Sequence, residues 1–315
     1  MDISRQINLT HPELEDLEPF LDETPELVQE RRSQGRIIFD RFIRHRIAII
    51  GAIFLIAMLL FCFFGPLFWK YNPDIIPDNV VTARFNAPDL AHPFGTDEVA
   101  RDELARALAG GRVSLLVALA SMLGAIVLGV GIGSFAGFYG GIIDNLLMRF
   151  TDVFLAVPLY LLLFVLSATF TDGSPLSVVI LIAIFGWTYA ARLVRGEFLA
   201  HRDREYVLAA RAIGAKNLSL MFRHILPNAA GPIIVNSTIL IGANIILESV
   251  LSYFGFGIKA PNPSWGNMIA DGQTYFDQAP WLVFVPALLI FLTVLSFNVV
   301  GDGLRDALDP HMTER

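Results

Sequence analysis

Apolar residues do not alternate along this chain, nor do they recur on a single helical stripe. They come in long, nearly uninterrupted blocks. Six blocks are long enough to cross a bilayer as helices: 47–68, 113–138, 153–170, 175–191, 229–248 and 281–300. A helix needs about 17–25 mainly apolar residues to do so. The first block carries no charged side chain. Blocks three and four are separated only by the turn "TDGS" at 171–174, which makes them an antiparallel pair. The pattern predicts an all-α integral membrane protein with six transmembrane helices.

The polar stretches between the blocks set the organisation. Residues 1–30 form an acidic tail with a single base, Arg5, and read as a solvated extension without a core. This tail has neither the basic start nor the apolar core of a signal peptide. Residues 31–46, "RRSQGRIIFDRFIRHR", mix bases such as Arg41 with Ile38 and Phe42 at helical spacing. That is the pattern of an amphipathic helix lying on membrane lipid. The six-span domain covers 47–303, and 304–315 is a C-terminal tail. With the N-terminus inside, 17 of the 23 Lys and Arg residues fall on the cytoplasmic side. Excess Lys and Arg mark cytoplasmic loops, so both termini and the 192–228 insert are expected in the cytoplasm.

Composition agrees with membrane residence: 54% of residues are hydrophobic, 17% are charged, and the mean hydropathy is +0.57. The net charge of −7 comes largely from the acidic tail. The one cysteine, Cys62, lies inside the first block and reads as an apolar filler. No Cys/His cluster, HExxH, GxSxG or Walker A pattern is present, so no metal, catalytic residue or bound cofactor is assigned to the chain. No nucleic-acid partner is indicated. A proton-driven secondary transporter would want acids in mid-membrane, and Glu248, near one end of the fifth block, is the one candidate.

Two blocks carry internal patterns. In the second, Gly129, Gly133 and Gly137 stand four apart, and Gly141 continues the series beyond the block. On a helix they form one edge that lets a second helix approach closely; the last glycines of "GFYGG" fall where a turn is expected. In the fifth, Asn236, Leu240 and Asn244 share a face. That face either lines a passage for a polar solute or bonds to neighbouring helices.

The insert 192–228 has seven bases and three acids. Its stretch "EYVLAARAIGAKNLSLMFRHILPN" predicts a helix, a turn at Gly214, and a second helix capped by Asn217 and ended by Pro227. Ala209 and Ala210 leave a low surface for a partner's groove. The alanine pair, Gly214 after three intervening residues, and Leu226–Pro227 resemble the EAA motif of bacterial ABC importer permeases. Leu208 stands where many members carry the motif's glutamate, with Glu205 one turn earlier, and His224 stands where isoleucine is usual.

The resemblance covers about residues 36–310. "HPFGTDEVARDELARALAGGRVSL" (92–115), "ESVLSYFGFGIKAPNPSWGNMIADG" (248–272) and "NVVGDGLRDALDP" (298–310) are similar to signatures of dipeptide/oligopeptide permeases. The first departs at Ala100, Glu103 and Ala105. The C-type subunit of the pair fits better, because no large external domain follows the first block. The resemblance implies the type I ABC importer fold in the bacterial inner membrane. It implies a homologous second permease, two ABC ATPase subunits holding ATP and Mg, and an extracytoplasmic solute-binding protein that delivers peptide. The insert would then contact the ATPases through Glu205, Leu208, Ala209, Ala210, Arg211, Gly214, Leu226 and Pro227. Arg211 and Arg223 are either salt-bridge partners there or solvated bases. Related systems carry nickel or other small solutes, so the substrate stays open between peptide and such solutes.

Overall fold

A computed structural model describes residues 34–308. The acidic tail, residues 31–33 and residues 309–315 lie outside the described residues. Among those described, the fold is helical with no β-strand beyond an isolated bridge between Thr96 and Asp102. α1 spans Gln34–Arg44. α2, Arg46–Phe68, begins where His45 Nδ1 accepts the N–H of Ala48 at 3.1 Å. α3 is Glu103–Tyr139, α4 Gly141–Ala156, α5 Leu159–Phe170 and α6 Pro175–His201. α7 is Glu205–Ala212. α8 is Ala230–Tyr253, α9 Trp265–Gln273 and α10 Trp281–Leu308.

Five of these helices (α2, α3, α6, α8 and α10) are long and apolar enough to cross a membrane. The third block differs from the single spanning helix expected over 153–170. α4 and α5 meet at an 83° bend, and together they make the sixth span if counted as one. Pro158 is the cause. The residue before a proline is pushed out of the α region, and Val157 is extended at φ −90° and ψ 132°.

Two helices are longer than their apolar blocks. α3 has 37 residues and starts ten before position 113, which makes it about 55 Å long at 1.5 Å per residue. Asp102 caps it by accepting the N–H of Ala105 at 2.7 Å. α6 continues past 191 to His201, so Arg192, Arg195 and Glu197 stand on a helix and not in a loop. Hydropathy stops at the first charges, but helical hydrogen bonding does not. α10 likewise runs on to Leu308. The turn at 171–174 is closed by Asp172, which accepts the Ser174 N–H at 2.9 Å and the Ser177 hydroxyl at 2.8 Å. Hydrogen bonds from Ser174 and Ser177 hold its carboxyl down to about 2.

The largest core forms around Trp265, which α9 inserts between α2, α3, α8 and α10. The indole is fully buried, and its N–H donates to Ala107 O at 3.0 Å. Gly111 makes the room: a Cβ there would lie 2.5 Å from both Cys62 Sγ and the indole. Cys62 is buried in this cluster.

α3 and α6 form the most extensive helix pair. Gly129, Gly133 and Gly137 lie on the contact edge. A Cβ at Gly129 would stand 2.5 Å from Ala190 Cβ, and one at Gly137 2.6 Å from Arg195 O. Backbone therefore meets backbone along this edge. Gly140 (φ +64°) and Gly141 (φ +57°) turn the chain into α4. Arg195 on α6 then clasps Asp144 on α4 through two bonds, at 2.5 and 2.6 Å. Arg192 bonds Asp152 at 2.6 Å one turn further along the pair.

These two clasps differ in burial, and that decides their worth. The Asp144 side chain is 12% exposed and that of Asp152 is 47% exposed. A charged hydrogen bond in a shielded site contributes about 1.5–3 kcal/mol, and an exposed pair about 0–1. Asp144→Ala is expected to lower the thermal midpoint of the purified protein clearly, and Asp152→Ala hardly at all. Equal shifts in the two variants would remove this ranking.

Candidate coupling surface

The insert folds as a short helix, a tight turn and a second helical stretch. Glu205 opens α7, where a negative side chain suits the helix N-terminus. The helix ends in a Schellman arrangement: Ala215 N–H donates to Ala210 O at 3.1 Å, and Gly214 N–H to Arg211 O at 3.0 Å. This needs a positive φ at Gly214, which is +88°.

The second stretch departs from expectation in two ways. Asn217 makes no cap; it is the first helical residue, after Lys216, with no side-chain bond to the helix start. Pro227 does not end the helix. Helical structure runs through Asn217–Ser219, a wide π turn at Leu220–Ile225, and Leu226–Asn228, and breaks at Ala229. Proline offers no N–H to a carbonyl one turn back. The π turn passes through this defect: Leu226 N–H reaches Met221 O, and Asn228 Nδ2 bonds His224 O at 2.6 Å.

The two stretches close on one core. Val207 and Ala210 of α7 pack with Leu220, Met221 and Ile225, and with Val194 and Phe198 of α6. The alanine pair is thereby split. Ala210 is 7% exposed and faces this core, so it does not belong to the open surface expected of it. A helix turns 100° per residue, which cannot put neighbours on one face. Ala209 is exposed beside Glu205, Leu208, Arg211 and Gly214; Pro227 is also exposed, and Leu226 is half-buried against the core.

Four large apolar side chains of the insert are exposed as well, and three of them, Ile213, Leu218 and Phe222, were not named from the sequence. Ile213 is 87% exposed, Leu218 58%, Leu208 47% and Phe222 42%. Their signal was present: apolar residues in a charged insert that the helix–turn–helix core does not use. Exposed apolar residues clustered within a polar rim mark an interaction surface.

The fifth-span residues fall apart in the same manner. Asn244 is buried and donates to Ser121 Oγ of α3 at 2.9 Å. Asn236 and Leu240 are half-buried, Leu240 against two apolar clusters. Glu248 is fully buried and accepts the hydroxyls of Ser114 and Ser252 at 2.8 and 2.7 Å.

Comparisons with known proteins place this arrangement. Residues 129–314 match the family described as "binding-protein-dependent transport system inner membrane component". Residues 33–91 match the "N-terminal TM domain of oligopeptide transport permease C". The oligopeptide transport system permease protein OppC of Bacillus subtilis is 40% identical, over 86% of this chain and 88% of its own. The dipeptide transport system permease protein DppC of Alkalihalophilus pseudofirmus is 39% identical, over 89% and 91%. The glutathione transport system permease protein GsiD of Pectobacterium atrosepticum is 37% identical, over 89% and 92%. A chain from inward-facing structures of the MetNI methionine ABC transporter superposes with a TM-score of 0.53 at 17% identity. It covers 65% of this chain and 96% of its own, and this likeness concerns the fold. The fold is that of type I ABC importer permeases. The chain belongs to the binding-protein-dependent transport system inner membrane component family, among its dipeptide and oligopeptide permeases.

Proposed function

We propose that this subunit forms half of the pathway of an ATP-driven peptide importer and receives work from ATPase subunits through residues 205–228. The exposed apolar side chains of Leu208, Ile213, Leu218 and Phe222, on a helix–turn–helix with its own core, carry the reading. The chain holds no nucleotide motif, so on this reading ATP acts through partner subunits. A docked ATPase supplies that drive only if ATP favours one arrangement of the pair over the other. α7 and the π stretch pack directly against α6, so a push on the surface reaches a spanning helix.

The remaining partners follow from the family: a homologous second permease, two ATPases with ATP and Mg, and an extracytoplasmic binding protein. The excess of Lys and Arg in and around the insert supports a cytoplasmic position for it in a bacterial inner membrane. Peptide is the favoured substrate because the oligopeptide and dipeptide relatives align over nearly their whole length. The test is reconstitution. The chain, its homologous permease, the ATPases and the binding protein should import dipeptides into vesicles only with ATP. Uptake by this chain alone in a proton gradient would sink the proposal.

A further inference from the structure

At the end of the molecule away from the insert lies a cavity of about 450 Å³. It opens between the start of α3, the loop 253–263 and one face of α9, with Asp74 at its edge. Small-molecule sites run from about 300 to 1,000 Å³. Its walls carry charge of both signs, and the charges are unevenly matched.

Arg101 is committed: it bonds Asp97 at 2.6 Å and Glu98 at 3.2 Å. Arg106 is committed as well: buried at the start of α3, it bonds Asp271 at 3.4 Å, lies 3.7 Å from Asp97 and stands beside Glu103. Lys259 has no acidic partner among the described residues, but its stem is held. Its N–H donates to Gly173 O at 3.1 Å, and only the missing side chain of Gly173 leaves room for its methylenes. Asp74, exposed on the same cavity, likewise has no basic partner among the described residues.

A held ammonium and an unpaired carboxylate on one cavity suit a ligand with both charges. We propose that this cavity binds the free ends of a short peptide, its carboxylate at Lys259 and its ammonium at Asp74. It is thus a subsite of this subunit, separate from the binding protein, that selects unblocked peptides. The inference rests on the peptide reading above and names where this chain touches the substrate.

The experiment uses the assembled complex in nanodiscs, without the binding protein, and measures equilibrium binding of alanyl-phenylalanine and its C-terminal amide. Lys259→Gln and Asp74→Asn are each expected to weaken the free dipeptide about tenfold, since each removes one charge-assisted contact. The amide should bind the wild-type complex weakly and be indifferent to Lys259→Gln. No binding to the wild type, or equal affinity of wild type and Lys259→Gln for the free dipeptide, overturns the proposal. So does loss of binding-protein docking in Lys259→Gln with dipeptide binding unchanged, which would make the cavity a protein contact. ATP-driven dipeptide uptake by the complete wild-type system is measured alongside. Its absence would sink the importer reading, whereas normal uptake with unaltered binding in the variants sinks the subsite alone.

Discussion

Gly133→Leu is expected to prevent stable folding of the subunit, while Gly131→Leu in the same helix is tolerated. The two glycines are two residues apart and differ in what a side chain would meet. At Gly133 a Cβ would strike Ala191 O and come within 2.8 Å of Val194 Cβ, whereas at Gly131 nothing lies within 4 Å. A carbonyl oxygen in the middle of α6 cannot rotate away as a side-chain tip can. The helices would have to separate along their whole contact edge, and overpacking a tight interior already costs about 1–3 kcal/mol when only side chains must move. Both variants share the same change in helix propensity, so a difference between them reports packing. Thermal unfolding and yield of the purified subunit read the effect. Similar midpoints for the two variants would show that the glycine edge is not what holds α3 to α6.

That edge was legible in the sequence because its signal is local and periodic: small residues four apart on one helix. The six spans were legible for a similar reason, since a bilayer crossing demands an unbroken apolar block. The bend at Pro158 was visible as a residue type but not its 83° angle, nor that Arg192 and Arg195 of α6 bond Asp152 and Asp144 of α4. Those bases lie beyond the apolar block and were read as loop. The polar start of α3 was missed in the same way, because its Glu103, Asp102 and Arg106 are buried against distant parts of the fold and not against lipid. Asn244 shows the limit for pathway assignments. Its grouping with Asn236 and Leu240 left two readings open, a passage or a bond to a neighbouring helix, and helix rotation, which one sequence does not encode, gives Asn244 the second through Ser121. In the insert, the turn at Gly214 followed from residue type, whereas the roles of Ala209 and Ala210 needed the packing of Leu220 and Met221 beneath them.

The split alanine pair gives the sharpest test of coupling. Ala209→Glu is expected to leave the subunit folded and the complex unable to couple ATP hydrolysis to transport. Ala209 is exposed, so the new side chain meets nothing within this chain but extends a charge into the surface between Leu208 and Ile213. A docked partner would then bury an unpaired carboxylate, which costs several kcal/mol. Since 1.4 kcal/mol is tenfold, uptake and substrate-stimulated ATPase activity should fall at least about tenfold. Ala210→Glu, one residue on, should fail differently, since Ala210 lies in the core with Val207, Leu220 and Met221 and a charge there unfolds the insert. Gly214→Val separates shape from charge. The position has open space but a φ of +88°, a conformation costly for a β-branched residue. The turn must reopen, and Ile213 moves with it. Loss of coupling in Ala209→Glu and Gly214→Val with normal melting of the subunit places force transmission on this surface. Normal uptake in both variants would mean that the ATPases grip the permease elsewhere.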